Sequence, residues 1–266
     1  MIHPTALVNP KARIGDHVGI GPYAIIEEDV EVGSDCEIGP HVLVASGTRI
    51  GQGCRIFKGA TVGTVPQDLK FGGEKTKLVI GDHTMIREFC TLNRGTQATG
   101  ETKIGSHCML MAYCHVAHDC HIGDYFIAAN LLSLAGHVTI GNYVRTGGSA
   151  SVVQFLHIGD HSFLSAHTLT KKDVVPFALV APEPLRIASI NKVGLERAGF
   201  SEERRREIKR AYKTLFRSGL PHTEALLRLE SDFPGNTDIA SIIALARASK
   251  RGLVGMGRTA ADADDL

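Results

Sequence analysis

Aliphatic residues recur at every sixth position from Ile2 to Leu164. Of the 28 slots in that series, 23 hold Ile, Val or Leu; the exceptions are Asp68, Glu74, Ala98, Ala128 and Thr146. Six residues make one short strand and one corner. Three such units close a coil of about 18 residues, and stacked coils form the hexapeptide type of parallel β-helix. Coils stack at the strand spacing of about 4.8 Å, with backbone hydrogen bonds running from coil to coil. Glycine often follows the aliphatic residue, as at Gly15, Gly21, Gly33, Gly39 and Gly123. Its tolerance of positive φ predicts a corner there.

The same phase organises the rest of the chain. All six cysteines (Cys36, Cys54, Cys90, Cys108, Cys114 and Cys120) fall on multiples of six, in a column otherwise rich in small residues such as Ala6, Ala24 and Ala60. No CxxC pair is present, and they read as compact core residues. Between Val62 and Ile80 the aliphatic slots hold Asp68 and Glu74. Residues 64–77 are therefore expected to leave the coil as a loop, and the polar stretch 94–103 as a second one. Loops on a rigid scaffold commonly carry function. The repeat fades after Leu164, and residues 174–184 read as an extended linker. From Ser189 the spacing turns helical. Ser201 is placed to cap a helix reaching about Ser218, with Ile208, Ala211, Tyr212 and Leu215 on one face. Shorter helices are expected near 223–231 and 237–249, and a frayed end over 255–266. The fold class is mainly β: residues 1–185 form a hexapeptide-repeat parallel β-helix, and residues 186–266 a small α-helical C-terminal domain.

Charge and hydropathy narrow the function. The 266 residues carry 29 Lys and Arg against 28 Asp and Glu, a formal net charge of +1. That balance argues against nucleic acid as a partner. No apolar run approaches the roughly 18 residues of a membrane span, so no membrane insertion is expected. The opening MIHPTALVNP lacks the regions of a signal peptide, which places the protein in the cytoplasm, where thiols stay reduced.

The coil period turns the stretch from Tyr113 to His121 into geometry, because residue n lies one coil above residue n−18. Gly136 and then Gln154 lie above His118. His137 and then Phe155 lie above Asp119, and Ser133 and Ser151 above His115. A neutral His can take a proton near pH 7, and a neighbouring carboxylate fixes its tautomer. Gly136 leaves space over His118 and bares a backbone amide, which can stabilise an oxyanion. Metal is the competing use: His115 and His118 with His121 or His137 could supply imidazole ligands, as in zinc hydratases of the γ-carbonic-anhydrase type. Asp119 and Gly136 have no necessary place in such a site. A catalytically dead coil used for assembly is a third reading, and the set His118, Asp119, Gly136 argues against it. The cations Arg204, Arg205, Arg206, Lys209, Arg210, Lys213 and Arg217 form a basic helix. It reads either as a solvated face paired with Glu202, Glu203 and Glu207, or as a dock for an acidic partner or phosphate.

Several motifs carry a resemblance over nearly the whole length. They are IHPTALV at the start, PQDLKFGGE (66–74), NRGT (93–96), HVAHDCHIG (115–123) and LAGHVTIG (134–141), then INKVGLERAGF (190–200) and IKRAYKTLFRSG (208–219). The chain resembles the UDP-N-acetylglucosamine O-acyltransferases that start lipid A synthesis. The resemblance implies a left-handed β-helix assembled as a homotrimer, with sites between subunits. It implies transfer of a 3-hydroxyacyl chain from acyl carrier protein to the glucosamine 3-hydroxyl, with no metal or organic cofactor. By motif, His118 is the general base, Asp119 orients it, and the Gly136 amide faces the oxyanion. Gln67, Asp68, His115, His137 and Gln154 would contact the nucleotide sugar, and Lys70 would lie near the acyl donor. Asn191 and Arg197 match nucleotide-binding positions, and the basic helix becomes a dock for acidic acyl carrier protein. The chain departs from the family pattern at Val153, Val193 and Ala198, where the family commonly carries His, Glu and Arg. Those departures open an alternative acceptor, a 3-amino or other nucleotide sugar.

Overall fold

The computed structural model describes residues 1–257. Short strands, most of two residues, form sheets of nine, eight and ten strands. The nine-stranded sheet runs from Leu7–Val8 to Leu169–Thr170, and the eight-stranded sheet from Arg13–Ile14 to His157–Ile158. The ten-stranded sheet starts at Gly19–Ile20 and ends with Ala178–Ala181 and Arg186–Ile190. Up to Ala178–Ala181, consecutive strands lie in different sheets, so the chain winds around a three-sided section. Up to the same point each strand pairs in parallel with the strand one coil away; Leu7 meets Ile25, eighteen residues on.

The sixth-position column fills the interior: Ile26, Val44, Ile86, Leu92, Leu110 and Leu134 are among its buried members. Two excursions leave the coil, and both preserve its phase. Leu78 pairs with Thr48, thirty residues back, so the first excursion adds twelve residues. His115 pairs with Thr91, twenty-four back, so the second adds six. Multiples of six return the chain with its aliphatic residues still facing inward. Asp68, Glu74 and Ala98 fall in these excursions, whereas Ala128 and Thr146 stay in the core as small buried residues. The second excursion is shorter than the sequence suggests, because Glu101–Ile104 already pairs with Lys77–Ile80.

The corners differ from the expectation. Positive φ falls two residues after the glycines, at His17 (58°), Tyr23, Asp35, His41, His83 and their equivalents. The glycines answer a different demand, which is close stacking. A Cβ on Gly15 would lie 2.6 Å from the Ser34 amide nitrogen of the next coil. The six cysteines are free and buried. Each thiol reaches a backbone carbonyl oxygen, as Cys36 does at Gly51 (3.1 Å) and Cys120 at Ala135 (3.2 Å).

The segment read as a linker instead continues the coil. Ala178–Ala181 pairs in parallel with Phe163–Leu164, and Arg186–Ile190 folds back antiparallel upon it. The cause is apolar: Val174, Val175, Phe177, Ala178 and Val180 are buried. The sequence-drawn boundary at 185 falls between these two strands. Part of the expected frayed end is also ordered, since Ile187 exchanges backbone hydrogen bonds with Gly255 and Gly257; residues 258–266 lie outside the described residues.

Four helices follow: α1 (Lys192–Arg197), α2 (Glu202–Arg217), α3 (His222–Asp232) and α4 (Thr237–Ala248). Ser201 caps α2, its hydroxyl accepting from Arg204 N at 3.1 Å. Helix α2 buries Ile208, Ala211, Tyr212 and Leu215, and the Tyr212 hydroxyl donates to the Pro176 carbonyl of the last coil. Buried Asp173 accepts from His157 N (2.8 Å) and the Ser249 hydroxyl (2.6 Å), tying the segment after α4 to the coil. Among the described residues no helix is long and apolar enough to cross a membrane.

Leu92 is fully buried in the coil, so Leu92→Ala should cost about 2–5 kcal/mol in denaturant unfolding. Leu227→Ala, on the exposed face of α3, should stay within about 0.5 kcal/mol.

Candidate active site

His118 and Asp119 occupy the corner between the nine- and eight-stranded sheets, after His115–Val116 and before His121–Ile122. The coil register sets what stands over them. Ser133 pairs with His115 and Ser151 with Ser133. His137 N donates to His118 O at 3.0 Å, and Phe155 N to Gly136 O at 3.2 Å. Asp119 adopts φ 59°, which turns its carboxylate back toward the neighbouring ring. His118 Nδ1 lies 2.7 Å from Asp119 Oδ2, and His137 Nε2 lies 3.6 Å from the same oxygen. The imidazoles of His118 and His137 meet edge to face at 5.2 Å, and His137 stacks on Phe155 at 4.4 Å.

Asp119 is held by groups that the sequence reading did not single out. Thr96 N donates to Oδ1 (2.9 Å), the Thr96 hydroxyl to Oδ2 (2.7 Å), and the Thr99 hydroxyl to Oδ1. The Asp119 amide donates to Thr102 Oγ1 at 2.8 Å. Burial alone would raise this carboxyl. Hydrogen bonds from Thr99, His118 and Thr96 outweigh burial and hold it at about 2. Asp119 is therefore an anion throughout the neutral range, and a hydrogen bond to it keeps the His118 proton on Nδ1 and leaves Nε2 bare. A signal for these threonines exists in the period: the residue one coil below Asp119 is 101, at the end of the second excursion.

Gly136 has two consequences. A Cβ there would lie 2.6 Å from His118 Cε1, so only glycine leaves the ring in place. Its N–H also has no hydrogen-bond acceptor among the described residues. At the corner between the eight- and ten-stranded sheets the amide of this slot is capped from the coil above, as Asp124 N is by Asn142 Oδ1 (2.9 Å), whereas Gly136 N is left open. Gln154, above Gly136, makes no such bond and is exposed. His115 lies on the same face with its Nδ1 2.7 Å from Thr91 Oγ1; burial pushes its pKa down, so it is neutral at pH 7.

His118, Asp119 and His137 have ligand atoms within 4.8 Å of one another. The Asp119 oxygens already accept from Thr96, Thr99 and His118. A metal would have to displace those donors, so the trio fits a proton-transfer pair better than a metal centre.

The remaining candidates are not all gathered on this face. Gln67, Asp68 and Lys70 sit on the first excursion, with Gln67 and Lys70 exposed and Asp68 Oδ1 accepting from Lys70 N at 3.0 Å. Asn191 and Arg197 lie at a different corner, between the eight- and ten-stranded sheets. Asn191 Nδ2 donates to His161 O (2.8 Å) and its Oδ1 accepts from Gly194 N (3.2 Å), capping α1. Both groups of its amide thus serve the fold. Arg197 lines a groove of about 510 Å³ with the stacked rings of Tyr125, Tyr143 and His161. Val153 and Val193 are exposed. The basic helix spends part of its charge internally: Arg204 pairs with Asp238, Arg205 with Glu196 and Arg206 with Glu202.

Comparisons with known proteins agree along the chain. A family model described as UDP-N-acetylglucosamine O-acyltransferase, domain 2, matches residues 173–254, and the bacterial transferase hexapeptide model matches 11–46 and 101–125. An acyl-[acyl-carrier-protein]–UDP-N-acetylglucosamine O-acyltransferase of Stenotrophomonas maltophilia is 49% identical over 255 residues, covering 95% of this chain and 97% of the relative. One from Janthinobacterium is 49% identical over 259 residues, covering 96% and 99%. The structure of LpxA from Acinetobacter baumannii superposes with a TM-score of 0.92 at 42% identity, covering 95% of this chain and 99% of that one. The UDP-N-acetylglucosamine acyltransferase of Francisella novicida gives 0.93 at 35%, covering 96% and 94%. The coil is a left-handed parallel β-helix followed by α-helices.

The Asp119 carboxyl, at about 2 when folded, has an unfolded value near ~3.9. Its hydrogen bonds therefore stabilise the fold above about pH 4, and that contribution is lost as pH falls toward 2. Urea unfolding should show wild type more stable than Asp119→Asn at pH 7, with the gap narrowing below pH 4.

Proposed function

This chain belongs to the acyl-[acyl-carrier-protein]–UDP-N-acetylglucosamine O-acyltransferase family, and from that premise we propose how its residues perform the reaction. The reaction transfers an acyl chain from acyl carrier protein to the 3-hydroxyl of UDP-N-acetylglucosamine, in lipid A biosynthesis. We take the donor to be a 3-hydroxyacyl thioester. His118 Nε2 removes the proton of the sugar 3-hydroxyl as its oxygen attacks the thioester carbonyl. The charge that develops on that carbonyl oxygen is met by the open Gly136 N–H. Collapse breaks the carbon–sulfur bond, and the leaving thiolate takes back the proton from the His118 imidazolium. Asp119 stays ionised throughout; it keeps the proton on Nδ1 and stabilises the imidazolium. The observation that carries this reading is the Asp119–His118 contact under a glycine whose amide is uncommitted.

His115, His137, Gln154, Gln67 and Asp68 are assigned to the sugar nucleotide, and Lys70 to the donor. Arg197 suits a pyrophosphate. Of the two nucleotide candidates at its corner, Arg197 is the better contact, because the Asn191 amide is occupied. Asn191 would act by holding α1 and so Arg197. His118 and Arg197 stand at different corners of one chain, which favours sites built between subunits of a homotrimer. Lys209 and Lys213 on α2 are the cations best placed to meet acidic acyl carrier protein. Six free thiols inside the coil suit the cytoplasm.

A mass-spectrometric assay with 3-hydroxyacyl carrier protein should give an ester of UDP-N-acetylglucosamine. An amide formed only from the 3-amino sugar analogue would move the acceptor and keep the chemistry. Co-expression of His118→Ala with Arg197→Ala chains should restore turnover at sub-saturating nucleotide sugar. Random mixing in a trimer leaves roughly a quarter of shared sites intact. No recovery in mixed trimers would place both residues in one subunit's site.

A further inference from the structure

The second excursion, residues 94–100, touches the catalytic pair on one side and the first excursion on the other. Toward the pair, Thr96 offers its amide and hydroxyl to Asp119, and Thr99 its hydroxyl. Toward the first excursion, Gln97 N donates to Glu74 Oε1 at 3.2 Å, while Glu74 Oε2 accepts from Gly72 N at 2.8 Å. The residues that root the second excursion reach the same way. Asn93 Nδ2 donates to Thr64 Oγ1 and Val65 O, each at 3.0 Å. The Arg94 guanidinium lies over the Phe71 ring at 5.5 Å and donates to Ser46 O at 2.9 Å. An eighteen-residue coil needs none of these bonds. The six added residues exist outside the repeat, and their polar groups are divided between two neighbours.

We propose that residues 94–100 are a two-sided brace: Thr96 and Thr99 are positioning residues that orient Asp119 for His118, while Gln97 N, through Glu74, fixes the loop that carries Gln67, Asp68 and Lys70. The proposal rests on the reading of His118 as general base. It assigns the two sides different kinetic work. The threonine side acts on the reacting histidine, so its loss lowers kcat. The Glu74 side acts on the loop assigned to substrate, so its loss raises KM.

The titratable groups facing Asp119 are His118 and His137; Cys120, next in the chain, points into the core. Without the two threonine hydroxyls, only His118 and the Thr96 amide still oppose burial, and the carboxyl rises. A more basic carboxylate holds a proton on its histidine neighbour more strongly, so the acidic limb of the kcat profile should move to higher pH. A merely structural role for the threonines would not move it.

The test uses the full-length assembled enzyme. Thr96→Val/Thr99→Val should lower kcat by roughly 10- to 100-fold, a fraction of the ~10²–10⁴ that a positioned general base supplies. The nucleotide-sugar KM should hold, and the acidic limb should move up. Thr96→Ser/Thr99→Ser should restore both kcat and the limb. If the valine pair does not assemble, Thr99→Ala alone reads out the same shift, since Thr99 is exposed. Glu74→Ala should raise KM severalfold with kcat and its pH profile intact. A threonine variant with kcat within twofold of wild type, or with an unmoved limb, overturns the proposal, as does a Glu74→Ala enzyme with wild-type KM. His118→Ala separates the two readings. If it keeps turnover, the general-base assignment fails. If it is inactive while the threonine variant is normal, only the brace fails.

Discussion

Hydrogen bonding between successive coils is the constraint on which everything else in this molecule depends. A parallel ladder at the strand spacing forces each residue over the one eighteen places earlier, wherever the coil is uninterrupted. Inward aliphatic residues, small cysteines and close-packed glycines follow from that stacking. So does the active corner, where His137 stands over Asp119 and Gly136 over His118. The two excursions add twelve and six residues to a coil and so keep the six-residue phase. The last coil does not: Val180 pairs with Leu164 only sixteen residues back, and both are buried because the chain re-enters the ladder in register.

The catalytic corner uses that rigidity to hold an expensive arrangement. A carboxylate whose side chain is fully shielded from solvent loses its hydration, and the cost is met by donors from Thr96, Thr99 and His118. Their net effect is a carboxyl at about 2. The anion orients its neighbour through a 2.7 Å contact. Glycine above provides room for the ring and an amide with no other acceptor. Two excursions beside the corner bring mobile-looking polar sequence under control by bonding to one another, so flexible segments become part of a fixed site.

Much of this was legible because periodicity is a long-range signal. The six-residue phase located the coil, the first excursion (expected over 64–77, with Thr64 and Lys77 belonging to the flanking strands), and the stacking of Gly136 and His137 on His118 and Asp119. Ser201 and the apolar face of α2 marked that helix. Other features were hidden for physical reasons. Positive φ at His17 or Tyr23 is a backbone property that those residue types do not announce, whereas glycine after the aliphatic residue suggested a corner and serves close approach instead. Residues 174–184 contain three prolines and looked like a linker, yet their apolar side chains are needed to close the end of the coil. Asn191 looked available for a ligand because a cap can be read only with α1 and His161 in place. Thr96 and Thr99 are ordinary loop residues until the period is used to put them beside Asp119.

The most direct measurement is acyl transfer to UDP-N-acetylglucosamine by His118→Ala, with thermal unfolding followed on the same preparation. Because His118 sits at the rim of a coil whose core it does not fill, the account predicts a cooperative melt, lowered modestly by the donor lost to Asp119, and a turnover loss of at least ~10²-fold. A well-folded His118→Ala enzyme that keeps turnover within a few-fold of wild type would contradict it.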